Sequence, residues 1–187
     1  MRETVRIEVG LDGIMPIMFD RYAGDNKTGL SPEDKMYFAQ DGKSLIMPSI
    51  NIMSFLSAQN TTSTPKRLLD MREYKNVCAA MLSFVSVSPF HIPFTANGEP
   101  VVFSGWNEQI YLDKRVARLA KGIPNPKERP TLNTPWELNF EIQFIENDDI
   151  SIKLLEDLIR KGGIALGLGT FRGMYGKFDV TLWDVKK

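Results

Sequence analysis

The chain has 187 residues, 43% hydrophobic and 25% charged, with 23 Lys and Arg balancing 23 Asp and Glu. That composition belongs to a globular chain with one sizeable core, and it excludes a disordered or fibrous one. Zero formal net charge excludes a global attraction to nucleic acid, and a single cysteine excludes both an internal disulfide and a multi-cysteine metal site.

The charge is unevenly spread. Residues 1–64 hold six basic and eight acidic side chains, 65–135 hold ten and six, and 136–187 hold seven and nine. Contact with a polyanion is therefore expected in the basic middle third. Met1-Arg2-Glu3-Thr4-Val5 lacks the apolar core of a signal peptide, and no apolar run reaches membrane-spanning length. A cytoplasmic chain with no membrane partner is expected.

Val5-Arg6-Ile7-Glu8-Val9 alternates apolar and charged residues, the period of a half-buried strand. Apolar text continues through Ile14–Phe19 after a bend at Gly13. Residues 20–43 are polar and rich in turn formers, and read as a long surface excursion with a short helix capped by Ser31. A helix begins near Ser49, is interrupted by Asn60-Thr61-Thr62-Ser63-Thr64-Pro65, and resumes over 70–81, where Cys78 reads as a buried, inert thiol. Ser83–Phe90 alternates again and gives a second strand.

Residues 91–135 read as an insertion. Ala96-Asn97-Gly98-Glu99 is a hairpin turn. Lys114–Pro130 carries six basic residues and one acid, and its three prolines forbid a continuous helix. Trp136–Phe144 gives a third strand. Asp148-Asp149-Ile150-Ser151 turns into a helix through Arg160, ended by Gly162-Gly163, and Phe178–Trp183 is the last strand. The expected fold class is α+β: a ferredoxin-like, RRM-like βαββαβ domain over 1–187 with an insertion between the second and third strands. Its helices would lie on one sheet face, and the other face is a common nucleic-acid platform.

Six of the fourteen glycines fall between Gly162 and Gly176, in the run Gly162-Gly163-Ile164-Ala165-Leu166-Gly167-Leu168-Gly169-Thr170-Phe171-Arg172-Gly173-Met174-Tyr175-Gly176-Lys177-Phe178. Glycine at this density suggests positive φ angles or a backbone that something approaches closely. Exposed amides beside Arg172 and Lys177 would suit an anion. The P-loop pattern fails because Phe178 follows Lys177, and the dinucleotide fingerprint fails because Arg172 occupies its third glycine position. Both motifs also need strand, loop, then helix, whereas the order here is helix, loop, strand. A nucleotide cradle is thus disfavoured. The plain alternative is a loop chosen for tight packing.

This helix, glycine-rich run and terminal strand resemble the C-terminal glycine-rich loop of the RAMP superfamily, the ferredoxin-like RNA-binding subunits of CRISPR effector complexes. The resemblance implies an antiviral ribonucleoprotein in which residues 91–135 match the family's "thumb" insertion. It also implies a partner in single-stranded RNA, possibly DNA, together with further copies of the chain and other effector subunits. Backbone subunits of that family are usually longer than this chain, so a compact phage- or plasmid-encoded relative fits equally well.

The expected contacts are Arg172, Lys177 and the amides near Gly167 and Gly169 in the loop, with Lys66 and Arg67 at the interrupted helix. Arg115, Arg118, Lys121, Lys127 and Arg129 would add thumb contacts to successive phosphates. Phe171, Tyr175 and Trp106 are candidate base-stacking aromatics, whereas Trp136 and Trp183 read as core or sheet-face residues. Arg172→Glu is expected to abolish binding with little change in melting. No cofactor, metal or catalytic residue is expected. His91 lies alone between prolines and apolar residues, and Asp148-Asp149 and Glu33-Asp34 read as turns. Asp20 and Asp25 sit where some backbone subunits of the resembled family carry a cleaving aspartate, and they are not selected. A competing reading is a protein–protein module, such as a phage or mobile-element component, that docks a partner on the open sheet face and the 20–43 excursion.

Overall fold

The computed structural model describes residues 4–25, 27–60, 63–118, 122 and 124–186, and for residues 117 and 118 the backbone alone. Strand β1 (Thr4–Gly13) follows from its alternation, with Ile7, Val9 and Leu11 buried and Arg6, Glu8 and Asp12 exposed. It lies between β9 (Glu137–Ile145) and β10 (Phe178–Lys186), with Val9 opposite both Phe140 and Trp183. Strand β4 (Val85–Ser88) pairs with β9 at residues 141–144. The four expected strands therefore run β10-β1-β9-β4 with every neighbour antiparallel, an arrangement compatible with a ferredoxin-like sheet.

Helices α1 (Ser49–Ser57), α2 (Thr64–Leu68), α3 (Tyr74–Phe84) and α4 (Ile152–Ala165) supply the other half of the core. Phe55, Leu56, Met81, Leu155, Leu158 and Ile159 join Ile7, Val9, Ile142 and Phe144 in one buried cluster. Each such side chain contributes about 1.5–3 kcal/mol through removal from water. Cys78 is buried, as expected, with its thiol donating to the Ala58 carbonyl at 3.6 Å and pushed up in pKa by that burial.

Two helix boundaries differ from expectation. Asp70 accepts the Arg72 amide at 2.7 Å on Oδ1, and this local turn delays α3 to Tyr74. The helix then runs on through Ser83 and Phe84, which shortens the second strand to four residues. Gly162 and Gly163 do not end α4 but lie buried inside it. A Cβ on Gly162 would stand 2.1 Å from Thr64 Cγ2, so the glycine lets α2 approach.

Residues 91–135 divide between two sheets. Strand β5 (His91–Ala96) extends the main sheet by pairing with β9, with β3 (Ile46–Pro48) and, across the Asn97-Gly98 turn, with β6 (Glu99–Pro100). His91 is exposed beside Phe90. A second sheet is built from β7 (Ile110–Arg118), β8 (Pro124–Leu132) and the short β2 (Ile17–Met18). Pro124, Pro126 and Pro130 occupy alternate places in β8. The Pro130 carbonyl accepts from Phe19 and the Glu128 carbonyl from Lys35, so this parity faces away from β7. The prolines thus leave the β7–β8 ladder intact and remove donors from the outer edge.

The 20–43 excursion forms the expected turn at Glu33–Lys35, with Ser31 Oγ accepting the Asp34 amide at 3.2 Å. It docks on β8 through Lys35 Nζ, which donates to Glu128 O at 2.6 Å, and through Asp20. On the sheet face opposite the helices, Glu8 lies directly between Glu141 and Asp184, with Asp12 on the same face. The expected platform role meets an obstacle here, because adjacent carboxylates repel phosphate. No helix among the described residues is long and apolar enough to cross a membrane.

Candidate nucleic-acid interface

After α4 the chain folds back on itself between residues 166 and 177. Leu168 donates to the Gly176 carbonyl at 2.9 Å, and Gly173 donates to the Leu166 carbonyl at 2.7 Å. The loop is fastened to β2, because Gly176 donates to Pro16 O at 2.7 Å and Thr170 to Met18 O at 2.9 Å. Gly176 has φ +68°, and a Cβ there would stand 1.9 Å from the Leu168 carbonyl oxygen. At Gly169, φ +77°, a Cβ would stand 2.5 Å from Met18 O. Both positions need glycine for conformation and for space.

The loop's amides are therefore largely committed inward. Gly167 is buried and donates to the Gly162 carbonyl at 2.9 Å, so its amide is not presented to a phosphate. Arg172 is half-buried, with Nε donating to the Gly169 carbonyl at 3.0 Å, and desolvation lowers its pKa from the ordinary value. The guanidinium remains charged. This burial corrects the expectation that Arg172→Glu spares the melt: the substitution would remove a bond that shapes the loop and would place a carboxylate in a half-dry site. Lys177 is half-buried, and its carbonyl accepts the amides of Ile14 and Met15.

The β7–β8 hairpin presents Arg115 and Lys127 directly opposite one another, beside the pair Asp113 and Arg129. Arg115 is held by Asp113 through Nε at 2.5 Å and Nη2 at 2.6 Å, and it bonds the Tyr175 hydroxyl. Its guanidinium lies 5.0 Å from the Tyr175 ring centre and 5.5 Å from that of Phe171. The hydrogen bond from Arg115 holds the Asp113 carboxyl below its ordinary pKa. Arg115 is thus a joint between the β7–β8 hairpin and the glycine loop, with its charge balanced. Arg129 plays a similar part: only 9% of its side chain is exposed, and Nε donates to Asp20 Oδ2 at 2.8 Å. Lys66 is turned inward as well, with Nζ 2.9 Å from the Tyr74 hydroxyl and 4.1 Å from the ring centre. Lys121 and the Arg118 side chain lie outside the described residues. Trp106 packs edge-on against Phe103 at 5.0 Å, and Trp136 is fully buried with Nε1 donating to Met15 O.

Several of these side chains, with others from the 20–43 excursion, line one groove made of three adjoining depressions. The first, about 450 Å³, is lined by Arg67, Gly169, Phe171 and Arg172. Gly169, Thr170 and Arg172 also line the second, about 210 Å³, which includes Asp20, Tyr37 and Asn51. Asp20 continues into the third, about 300 Å³, with Arg21, Asp25, Lys35 and Lys127. Among the described residues lining this track are five cations and two carboxylates. Both carboxylates have structural duties. Asp20 is bound by Arg129, with Lys35 at 3.9 Å, and Asp25 closes a turn by accepting the amides of Lys27 and Thr28. The structure brings Arg67, Gly169, Arg172 and Lys127 onto one track, with Lys66, Arg115 and Arg129 beside it as supports. Sequence reasoning missed Arg21, Lys35 and Tyr37; the length of the 20–43 excursion was the signal that could have found them.

No protein-family model matches the chain, and no curated protein sequence matches it. Solved structures do match. One is a chain in the cryo-EM structure of the type III-B Cmr-β bound to cognate target RNA, with a TM-score of 0.61 at 14% identity. The match covers 99% of the present chain and 61% of the other, so the chain spans about three-fifths of its neighbour's length. At this identity the likeness is one of fold.

Proposed function

We propose that this chain is a non-catalytic RNA-binding subunit of a CRISPR-type effector ribonucleoprotein. It grips the sugar-phosphate backbone of a single-stranded guide RNA and assembles side by side with further copies along it. The observation that carries this reading is the groove that joins Arg67, Arg172 and Lys127 across the glycine loop and the thumb base. Its supports are built from residues far apart in sequence, Asp20 with Arg129 and Arg115 with Tyr175, so the walls of the groove are tied together before a ligand arrives. A chain of the same fold in an RNA-bound complex adds support. The structural duties of Asp20 and Asp25 favour holding over cutting.

Fluorescence anisotropy with a labelled single-stranded RNA tests the proposal. Tight binding at low salt is expected, weakening log-linearly with added salt at a slope of about −0.7 per phosphate contacted. The mass of the complex should rise stepwise with RNA length, and labelled RNA should stay intact on incubation with Mg²⁺. Absence of binding at low salt would overturn the reading.

A further inference from the structure

The loop has five residues at positive φ, and four of them are Gly167, Gly169, Gly173 and Gly176. The fifth is Phe171, at φ +54°. A bulky side chain is disfavoured in this region by contact between Cβ and the backbone, so glycine would be the easier residue here too. The chain keeps an aromatic ring at a place where its backbone resists one. Core packing does not account for it, because Phe171 is 38% exposed. The ring meets Tyr175 edge-on at 6.0 Å, and the Arg115 guanidinium lies 5.5 Å from its centre. Tyr175 and Arg115 are themselves locked to Asp113, so the ring is propped from behind. Phe171 shares its depression with Arg67 and Arg172. Local strain that the surroundings maintain is a mark of functional positions.

We propose that Phe171 is a stacking platform for a nucleobase of the bound single strand, while Arg67 and Arg172 take the flanking phosphates. The inference rests on the RNA-binding reading and adds base contact to it. An aromatic ring stacks on any base, so affinity gains without sequence preference.

The test uses the full chain and two RNA probes of equal length: one normal, with a single 2-aminopurine moved through each position in turn, and one wholly abasic. With the wild type, quenching of 2-aminopurine is expected at a discrete position, and the abasic strand should bind more weakly. Phe171→Gly should lose that quenching and bind the normal strand about 5- to 150-fold more weakly, with the abasic strand unaffected. Because glycine relieves the φ penalty, its melting temperature should equal or exceed that of the wild type, and Phe171→Tyr should restore binding. Equal wild-type affinity for the two strands, or an unaltered Phe171→Gly variant, overturns the stacking platform and leaves backbone binding standing. Failure of the wild type to bind either strand overturns both.

Discussion

Gly176→Ala is the sharpest test of how the loop is built. Its φ of +68° puts any other residue in the left-handed region, at about 1–2 kcal/mol. The new methyl would stand 1.9 Å from the Leu168 carbonyl oxygen, which is backbone and cannot swing aside. Relief requires Gly176 to move, which breaks its bonds to Pro16 and Leu168, each contributing about 0.5–1.5 kcal/mol net. The expected loss is about 2–5 kcal/mol, or roughly 4–20 °C in melting temperature for a domain of this size. Gly173→Ala is the control: φ is +89°, but nothing lies within 4 Å of the added methyl, so the conformational part of about 1–2 kcal/mol stands alone. Urea unfolding followed by circular dichroism, with slopes compared, measures both. If Gly176→Ala is no more destabilising than Gly173→Ala, the interlocked loop described above is wrong.

Arg67→Glu and Lys127→Glu should each weaken RNA binding and reduce the salt slope by about 0.7, with stability changed by less than about 0.5 kcal/mol in thermal melts. Asp20→Ala should destabilise by about 2–3 kcal/mol, a figure discounted for the partial exposure of Asp20, because it strands the buried Arg129 charge; Asp20→Asn should recover part of the loss. The β7–β8 hairpin should also respond to acid. Asp113 has a lowered pKa in the folded chain, so its pairing with Arg115 stabilises fully above the unfolded value of about 3.9 and is lost as pH falls through the lower folded value. Pepsin cleavage within residues 110–132 should therefore accelerate only below about pH 4, and Asp113→Asn should abolish that acceleration.

The legible parts of the fold were those whose burial is one-sided. Strands β1 and β9 and helix α4 each expose one face and bury the other, so their periods are written in the sequence. The Asn97-Gly98 turn was readable for a different reason, since both residues take positive φ at little cost. Strand β8 was not legible as a strand: with proline at three alternate positions and charge at others, it shows no apolar alternation. Its strand character comes from pairing with β7, a tertiary cause. The same limit applied to the cations. Composition marked a basic stretch, but it could not separate Lys127, which lines the groove, from Arg129, whose partner Asp20 lies 109 residues away. Nor could it tell that the amide of Gly167 is closed off while the side of the loop bearing Arg172 is open.

The prolines of β8 also govern how such chains can crowd. On the proposed assembly, copies ranged along one RNA would be held at very high local concentration, where the rim of one β7–β8 hairpin would meet extended segments of the next copy. Recruitment of a foreign strand needs a row of outward amides, and at residues 124, 126 and 130 there are none to offer. In that assembly, neighbouring copies would press together through side chains without zipping into a continuous sheet along β8, and contacts of that kind would be released when the RNA leaves. The insulation is one-sided, since the opposite rim belongs to β7, which carries no proline over Ile110–Arg118. Within this hairpin, strand addition is confined to that rim.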